Sequence, residues 1–298
     1  MSPRRKLRVL ISGASGLIGT ELTRQLRDDG HEVLHLVRRQ PREEHELNWA
    51  PSARTMDFRI MGEVDAVVNL SGASIGRLPW TPGYRKTLVD SRVRSTQALA
   101  EAMNMVATPP PVFLSASGVS VYGDRPGIRI TEESAPGTGF IPELVRKWEA
   151  AAALAPAKTR VVNLRSSVVM APQSLGMLDT MIKFGLGARL STGGQIWPWI
   201  SLHDEAAAIR HLMASKLAGP VILAGPTPAT SDRITHTIAR TTHRPYALWA
   251  PEWAVRVLGE GAEVLALNSL KVVPTRLQGD GFEWRHPRVE DAIAAGFG

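Results

Sequence analysis

Two kinds of pattern alternate along this chain. Short apolar runs, "LRVLIS", "HEVLHLV", "DAVVNLSG" and "PVFLSAS", predict strands. Between them, "GLIGTELTRQLRDDG" and the stretch near 83–104 carry the spacing of helices, and "ELVRKWEAAAAL" follows in the same style. Farther on, "TRVVNLRSSVVM" predicts a strand running into a loop, "DEAAAIRHLMAS" a helix and "GPVILAG" a last strand. Strand and helix in strict alternation predict an α/β protein, a doubly wound parallel sheet covered on both faces.

From about Gly225 the alternation fades into Pro-rich loops and short helices such as "SDRITHTIARTT" and "PEWAVRVLGE". No Gly/Ser linker precedes them, so a smaller substrate-side lobe is expected rather than an independent domain. Residues 1–165 are then expected to be mainly the Rossmann-type sheet domain and 166–298 mainly the lobe, the two interleaved.

The loop between the first strand and helix, "VLISGASGLIGTEL", sets Gly13, Gly16 and Gly19 at a spacing with a physical purpose. The first permits a tight turn, the second lets backbone approach a pyrophosphate, and the third lets helix pack on strand. The helix N-terminus adds free N–H groups, so Ser15, Leu17 and Ile18 on this turn are expected to touch the cofactor. The second strand ends in "HLVRRQ", where an NAD site would carry an acid for the ribose hydroxyl. Arg38 stands there and Arg39 follows, a pair suited to a 2′-phosphate and hence to NADP(H).

Composition narrows the classes. The net charge is +7, but the basic residues are scattered, which suits an anionic cofactor better than a nucleic-acid face. No cysteine is present, so disulfides and thiolate chemistry are excluded. No apolar run approaches the roughly 20 residues of a membrane span. The basic start "MSPRRKLR" leads only into "VLIS", so no secretory leader and a cytoplasmic location are expected.

Several motifs in order carry a resemblance: "GASGLIG", "DAVVNLSG", "VYGD", "LRSSVVMAP" and "WPWISLHDEAAA". Together they resemble the extended short-chain dehydrogenase/reductase superfamily of nucleotide-sugar epimerases and dehydratases. More narrowly, "NLSGASIGRLPWTPGYRKTLVDSRVRST", "KWEAAA" and "SLKVVPTRLQGDGFEW" resemble its atypical "epimerase family protein" branch, over nearly the whole chain. The resemblance implies that Leu70, Ser71 and Gly72 face the nucleotide. It also places Arg92 where the family has an asparagine near the cofactor, and Glu149 close by.

The same resemblance implies a serine after the fifth strand and a Tyr-x-x-x-Lys helix. The chain has three tyrosines, followed four positions on by Leu88, Pro126 and Ala250, so no such pair exists. Counting back from Glu149 puts Val145 and Ile141 at the lysine and tyrosine positions, and counting from "VYGD" puts Gly118 at the serine position. Lys147 is about 200° around the helix from Glu149's face and cannot substitute.

Tyr122, expected near the mouth of the site, and Ser117 are then the remaining proton-donor candidates, with packing as the alternative for Tyr122. Arg165 is expected to anchor a loop or a carboxylate. His203 and Asp204 suggest a helix start capped by Asp204 or its neighbour, and His31 and His35 lie on a strand, so no metal site is expected. Trp197 and Trp199 either line a pocket or close the core. The expected ligand is a small carbonyl or hydroxyl compound, with no nucleic-acid or membrane partner and a homodimer left open. A catalytically silent NADP(H)-binding sensor is the alternative to an oxidoreductase or epimerase-like enzyme.

Overall fold

The computed structural model describes residues 5–53 and 55–298; residues 1–4 of the basic start, and Arg54, lie outside them. Eight strands form the central sheet: β1 Arg8–Ser12, β2 Glu32–Val37, β3 Glu46–Ala50, β4 Thr55–Met56, β5 Ala66–Asn69, β6 Val112–Gly118, β7 Arg160–Ser166 and β8 Gly219–Leu223. Their spatial order is β8-β7-β6-β5-β1-β2-β3-β4. All pairings are parallel except β3 with β4. The order reverses between β1 and β5, and the crevice beyond their carboxyl ends is where such sheets take ligands.

Parallel strands need crossovers, and the predicted helices supply them. They are α1 Leu17–Asp28, α2 Pro82–Asn104, α3 Phe140–Ala152 and α4 Leu202–Ala214. Because helices cover both faces, β1 is apolar on both: Val9, Leu10 and Ile11 are all fully buried. One face packs Val9, Ile11, Val68 and Leu114 under α1 and α4, and the other packs Leu10, Val67 and Phe113 under α2.

The sheet takes β8 from beyond residue 165, so it crosses the division at 165/166. The lobe contains more strand than the sequence pattern predicts. Gly187–Leu190 pairs with Tyr246–Ala250, and Leu270–Val272 pairs with Arg125–Ile130. Trp197 and Trp199 are buried in the lobe's own core with Ile234, Ile238 and Ile293, and so close the core.

The helix start at "SLHDE" is capped by Ser201, whose Oγ accepts from Asp204 N at 3.0 Å, rather than by Asp204 or an adjacent residue. The buried Asp204 carboxylate reaches instead to the C-terminal segment, accepting from Arg285 N at 2.8 Å and His286 N at 3.0 Å. A second buried carboxylate, Glu132, does likewise: it accepts from Thr275 Oγ1 at 2.6 Å and from the N–H groups of Arg276 and Ile222. No helix among the described residues is long and apolar enough to cross a membrane.

Candidate active site

At the crevice, Gly13 has φ +77°, and a Cβ there would stand 2.7 Å from the Leu70 carbonyl carbon. The close approach of the two loops therefore requires glycine. At Gly19 a Cβ would lie 2.7 Å from Ala14 Cα, so the helix seats on the turn only without a side chain. Gly16 caps α1 with no side-chain hydrogen bond, and no acid occupies the first turn. The N–H groups at Leu17 and Ile18 thus begin a helix whose positive end is met by neither a side-chain cap nor an acid of its own first turn. Ser15 and Gly16 are exposed on the same turn.

Asn69 fixes the opposite wall. It is fully buried: its Oδ1 accepts from Ser12 Oγ at 2.6 Å and Ser71 N at 3.2 Å, and its Nδ2 donates to Thr96 Oγ1 at 2.7 Å. Trp148 Nε1 donates to the same Thr96 oxygen at 2.9 Å. One amide therefore joins β1, the Leu70–Gly72 loop, α2 and α3.

The two arginines after β2 separate in role. Arg39 forks onto Glu46 at 2.5 and 2.7 Å, while Arg38 is exposed with no ion pair among the described residues. Since Ser12 and Leu36 are register partners, Arg38 emerges beside the glycine loop. A free guanidinium there suits a phosphate.

Beyond β6 and β7 lies a second cluster. Ser117 and Arg165 are register partners, so their side chains rise side by side on one face. There α3 lowers Glu149 onto them. Ser117 Oγ donates to Glu149 Oε1 at 2.6 Å; Arg165 donates through Nε to Oε1 at 2.8 Å and through Nη2 to Oε2 at 2.9 Å. The Arg165 Nη1 donates to Tyr122 Oη at 2.7 Å. Burial works against the Arg165 charge, but Glu149 outweighs it and holds the guanidinium firmly protonated.

Tyr122 is thus not at the mouth of the site. Its side chain is 0% exposed, walled by Val119, Val121, Ile141 and Leu144, and burial pushes its phenol above the ordinary value despite Arg165. Ser117, at 6%, and the Glu149 side chain, at 16%, are the members with access from outside. Ile141 and Val145, at the tyrosine and lysine positions of the resemblance, are buried in the same apolar cluster. Lys147 is exposed and pairs with Glu143 at 2.8 Å. His31 accepts from Leu7 N at 3.2 Å and His35 bonds Thr23 at 3.1 Å, so both are engaged in local structure.

One buried acid is given no role by the sequence motif that contains it. On the opposite face of the sheet, Glu205 of α4 is fully buried, and Ser166 Oγ donates to its Oε1 at 2.5 Å while Oε2 has no partner. The signal was its phase: positions 205, 208, 209 and 212 form one helix face, and the other three are Ala208, Ile209 and Leu212.

Burial raises the Glu205 carboxyl to about 8, with Ser166 pulling weakly the other way. The folded state then holds a proton that the unfolded chain releases near 4.5, so this group's stabilisation is complete below about pH 4.5 and is lost as pH rises toward 8. Glu205→Gln should abolish that slope. Thermal melts are expected to show the variant about 5 °C above wild type near pH 8.5 and level with it near pH 5. Parallel wild-type and variant curves across this range would refute the assignment.

Known proteins share this fold and much of its sequence. Residues 9–225 match the NAD dependent epimerase/dehydratase family, and residues 250–295 match a domain of unknown function, DUF1731. The epimerase family protein Mb2239 of Mycobacterium bovis is 39% identical over 293 residues, covering 96% of each chain. The epimerase family protein ML0860 of Mycobacterium leprae is 37% identical over 296 residues, covering 97% of this chain and 95% of the relative. Among solved structures, the human epimerase family protein SDR39U1 (isoform 2), crystallised with NADPH, superposes with a TM-score of 0.87 at 29% identity, over 97% of this chain and 99% of that one.

Proposed function

Since the chain belongs to the NAD dependent epimerase/dehydratase family, we propose that it binds NADP(H) and moves hydride between it and a small carbonyl or hydroxyl compound. The observation that carries the cofactor choice is Arg38, which has no ion pair among the described residues, beside a glycine turn whose helix has no acid in its first turn. The human relative crystallised with NADPH supports the same choice. Gly13, Ser15, Gly16, Leu17, Ile18 and Gly19 would cradle the phosphates, Arg38 the 2′-phosphate, and Leu70, Ser71 and Gly72 the facing side. Arg39 would act through the loop that its pairing with Glu46 holds. Bound there, the cofactor supplies or accepts the hydride.

The protein's part is the proton. Lacking Tyr-x-x-x-Lys, it has Ser117 donating to a carboxylate held by Arg165. In the oxidising direction a substrate hydroxyl gives its proton to Ser117 Oγ as the serine proton passes to Glu149 Oε1. Reduction runs the same path backwards. Tyr122 supports Arg165 from within the core.

Purified protein should oxidise NADPH with at least one member of a panel of small aldehydes and ketones. Ser117→Ala should then lower kcat by about 10²–10⁴-fold with NADPH affinity unchanged. Failure of every carbonyl to oxidise NADPH above background would remove the hydride-transfer proposal. The burial of the proton path favours a second reading, an NADP(H)-binding sensor without turnover, and that same null result, with tight NADPH binding, is what it expects.

A further inference from the structure

Large apolar side chains on a protein surface normally stand singly. Here nine of the twelve exposed ones among the described residues fall in two segments of the lobe, 177–186 and 248–265, so they are concentrated rather than scattered. The lobe's strand pair joins those segments, since Gly187 is the register partner of Tyr246 and Arg189 of Trp249. The two run very close, and a Cβ at Gly187 would lie 2.5 Å from Pro245 O. Phe184 and Leu186 therefore stand beside the start of Tyr246–Ala250, and Trp249 near its end. Trp249 is also held rigid, its Nε1 donating to Ser191 O at 2.9 Å. Past Pro251, the helix Glu252–Val257 turns Val255 inward and leaves Trp253 and Val257 outside, one helical turn apart, with Leu258 exposed after them.

Phe184, Trp249 and Trp253 are 79%, 62% and 70% exposed. At roughly 150–250 Å² for each aromatic side chain, about 400 Å² of ring is left in water. Leu186, Val257 and Leu258 take the patch to or past the roughly 300–600 Å² of the largest one on an ordinary monomer. It also exceeds the apolar share, about 450 Å², of the roughly 800 Å² that each partner gives to a standard interface.

Charge is divided across the patch. On the strand side Arg189 and Arg244 are exposed, with no ion pair among the described residues. On the helix side Glu252 and Glu263 share one cation, Arg256, at 2.6 and 3.5 Å, while Glu260 is taken by Arg85, which leaves negative charge in surplus. A two-fold axis through the patch sets the positive half of one copy on the negative half of the other, the self-complementarity that an isologous contact needs. An anionic bilayer would meet the wrong sign on the helix half.

We propose that this face of the lobe is a homodimer interface on which a second copy of this chain docks about a two-fold axis. Trp249 and Trp253 are its buried anchors, and Arg189 and Arg244 of each copy meet Glu252 and Glu263 of the other. Tryptophan and arginine are the residue types that carry most of the binding energy at such contacts. The helix Glu252–Val257 opens the segment 250–295, which matches DUF1731, so that segment takes a role in assembly.

Sedimentation velocity of the full chain at about 10 μM should show twice the chain mass. Trp253→Glu should be monomeric there, its dissociation constant raised at least about thirtyfold, with an unchanged far-ultraviolet circular dichroism spectrum because the ring lies in solvent in the single chain. Phe184→Glu, on the opposite half, should read the same and decides the matter if Trp253→Glu misfolds. A charge exchange tests the two-fold arrangement itself. The double variants Arg189→Glu/Arg244→Glu and Glu252→Lys/Glu263→Lys should each be monomeric alone and dimeric when mixed one to one.

Wild type that stays monomeric up to about 100 μM would overturn the proposal, and cosedimentation of that monomer with phosphatidylglycerol vesicles would give the patch to a membrane instead. Dimers as tight as wild type in both Trp253→Glu and Phe184→Glu would overturn it too, by placing the contact elsewhere. A mixture of the two double variants that stays monomeric would overturn the two-fold pairing of arginines with glutamates.

Discussion

An Arg165→Met protein is expected to melt roughly 6–10 °C below wild type, the largest stability loss foreseen for one substitution at this site. The side chains of the pair are 9% and 16% exposed, and the arginine meets both carboxylate oxygens of Glu149. Taking away one partner leaves the other charge in a poorly solvated place, an effect worth about 3–5 kcal/mol when such pairs are broken. Tyr122 would lose the hydrogen bond that Arg165 donates to its hydroxyl as well. Adding Glu149→Leu should recover most of the loss, because the stranded charge rather than the missing attraction does the damage. A single variant melting within 2 °C of wild type, on the order of 1 kcal/mol or less, would show the pair to be well hydrated.

The second large effect concerns cofactor choice. Arg38→Ala should weaken NADPH binding by roughly 10- to 100-fold and leave NADH unchanged, as expected for one or two charge-assisted hydrogen bonds to a 2′-phosphate. Arg39→Ala should do less, since Arg39 already spends its fork on Glu46. Equal wild-type affinity for NADPH and NADH, measured by fluorescence titration, would refute the preference. A smaller NADPH loss at Arg38 than at Arg39 would move the 2′-phosphate to the paired arginine.

Much of the fold is legible in the residues because the central strands are apolar on both faces and the helices between them are amphipathic. "LRVLIS" and "PVFLSAS" end within one residue of the strands Arg8–Ser12 and Val112–Gly118. The edge pair β3 and β4 is not legible: "ELNWA" mixes polar and apolar residues, and its main anchor is one buried tryptophan, Trp49. The strand Tyr246–Ala250 is half exposed and alternates too weakly to stand out.

At the site, the glycines and Arg38 are readable because backbone geometry dictates glycine and because a terminal charge needs no partner to be noticed. Tyr122 misleads, since nothing in "SVYGD" says that the turn after β6 folds its ring inward. Arg165 can be read as an anchor, but its partner Glu149 lies on a separate helix, and only the packing of α3 over β6 and β7 joins them.

The two carboxylates that reach the C-terminal segment also bear on how the chain acquires its shape. Asp204 bonds to backbone 81 and 82 residues downstream, and Glu132 to groups 143 and 144 residues downstream. Contacts of such sequence separation close late. During synthesis the glycine turn and the first strands can assemble while the ribosome still holds the rest. Both acids then lack these partners until residues 275–286 have emerged. Consolidation of this half of the molecule is therefore timed by the arrival of the segment 275–286, long after its partners on the sheet have been made.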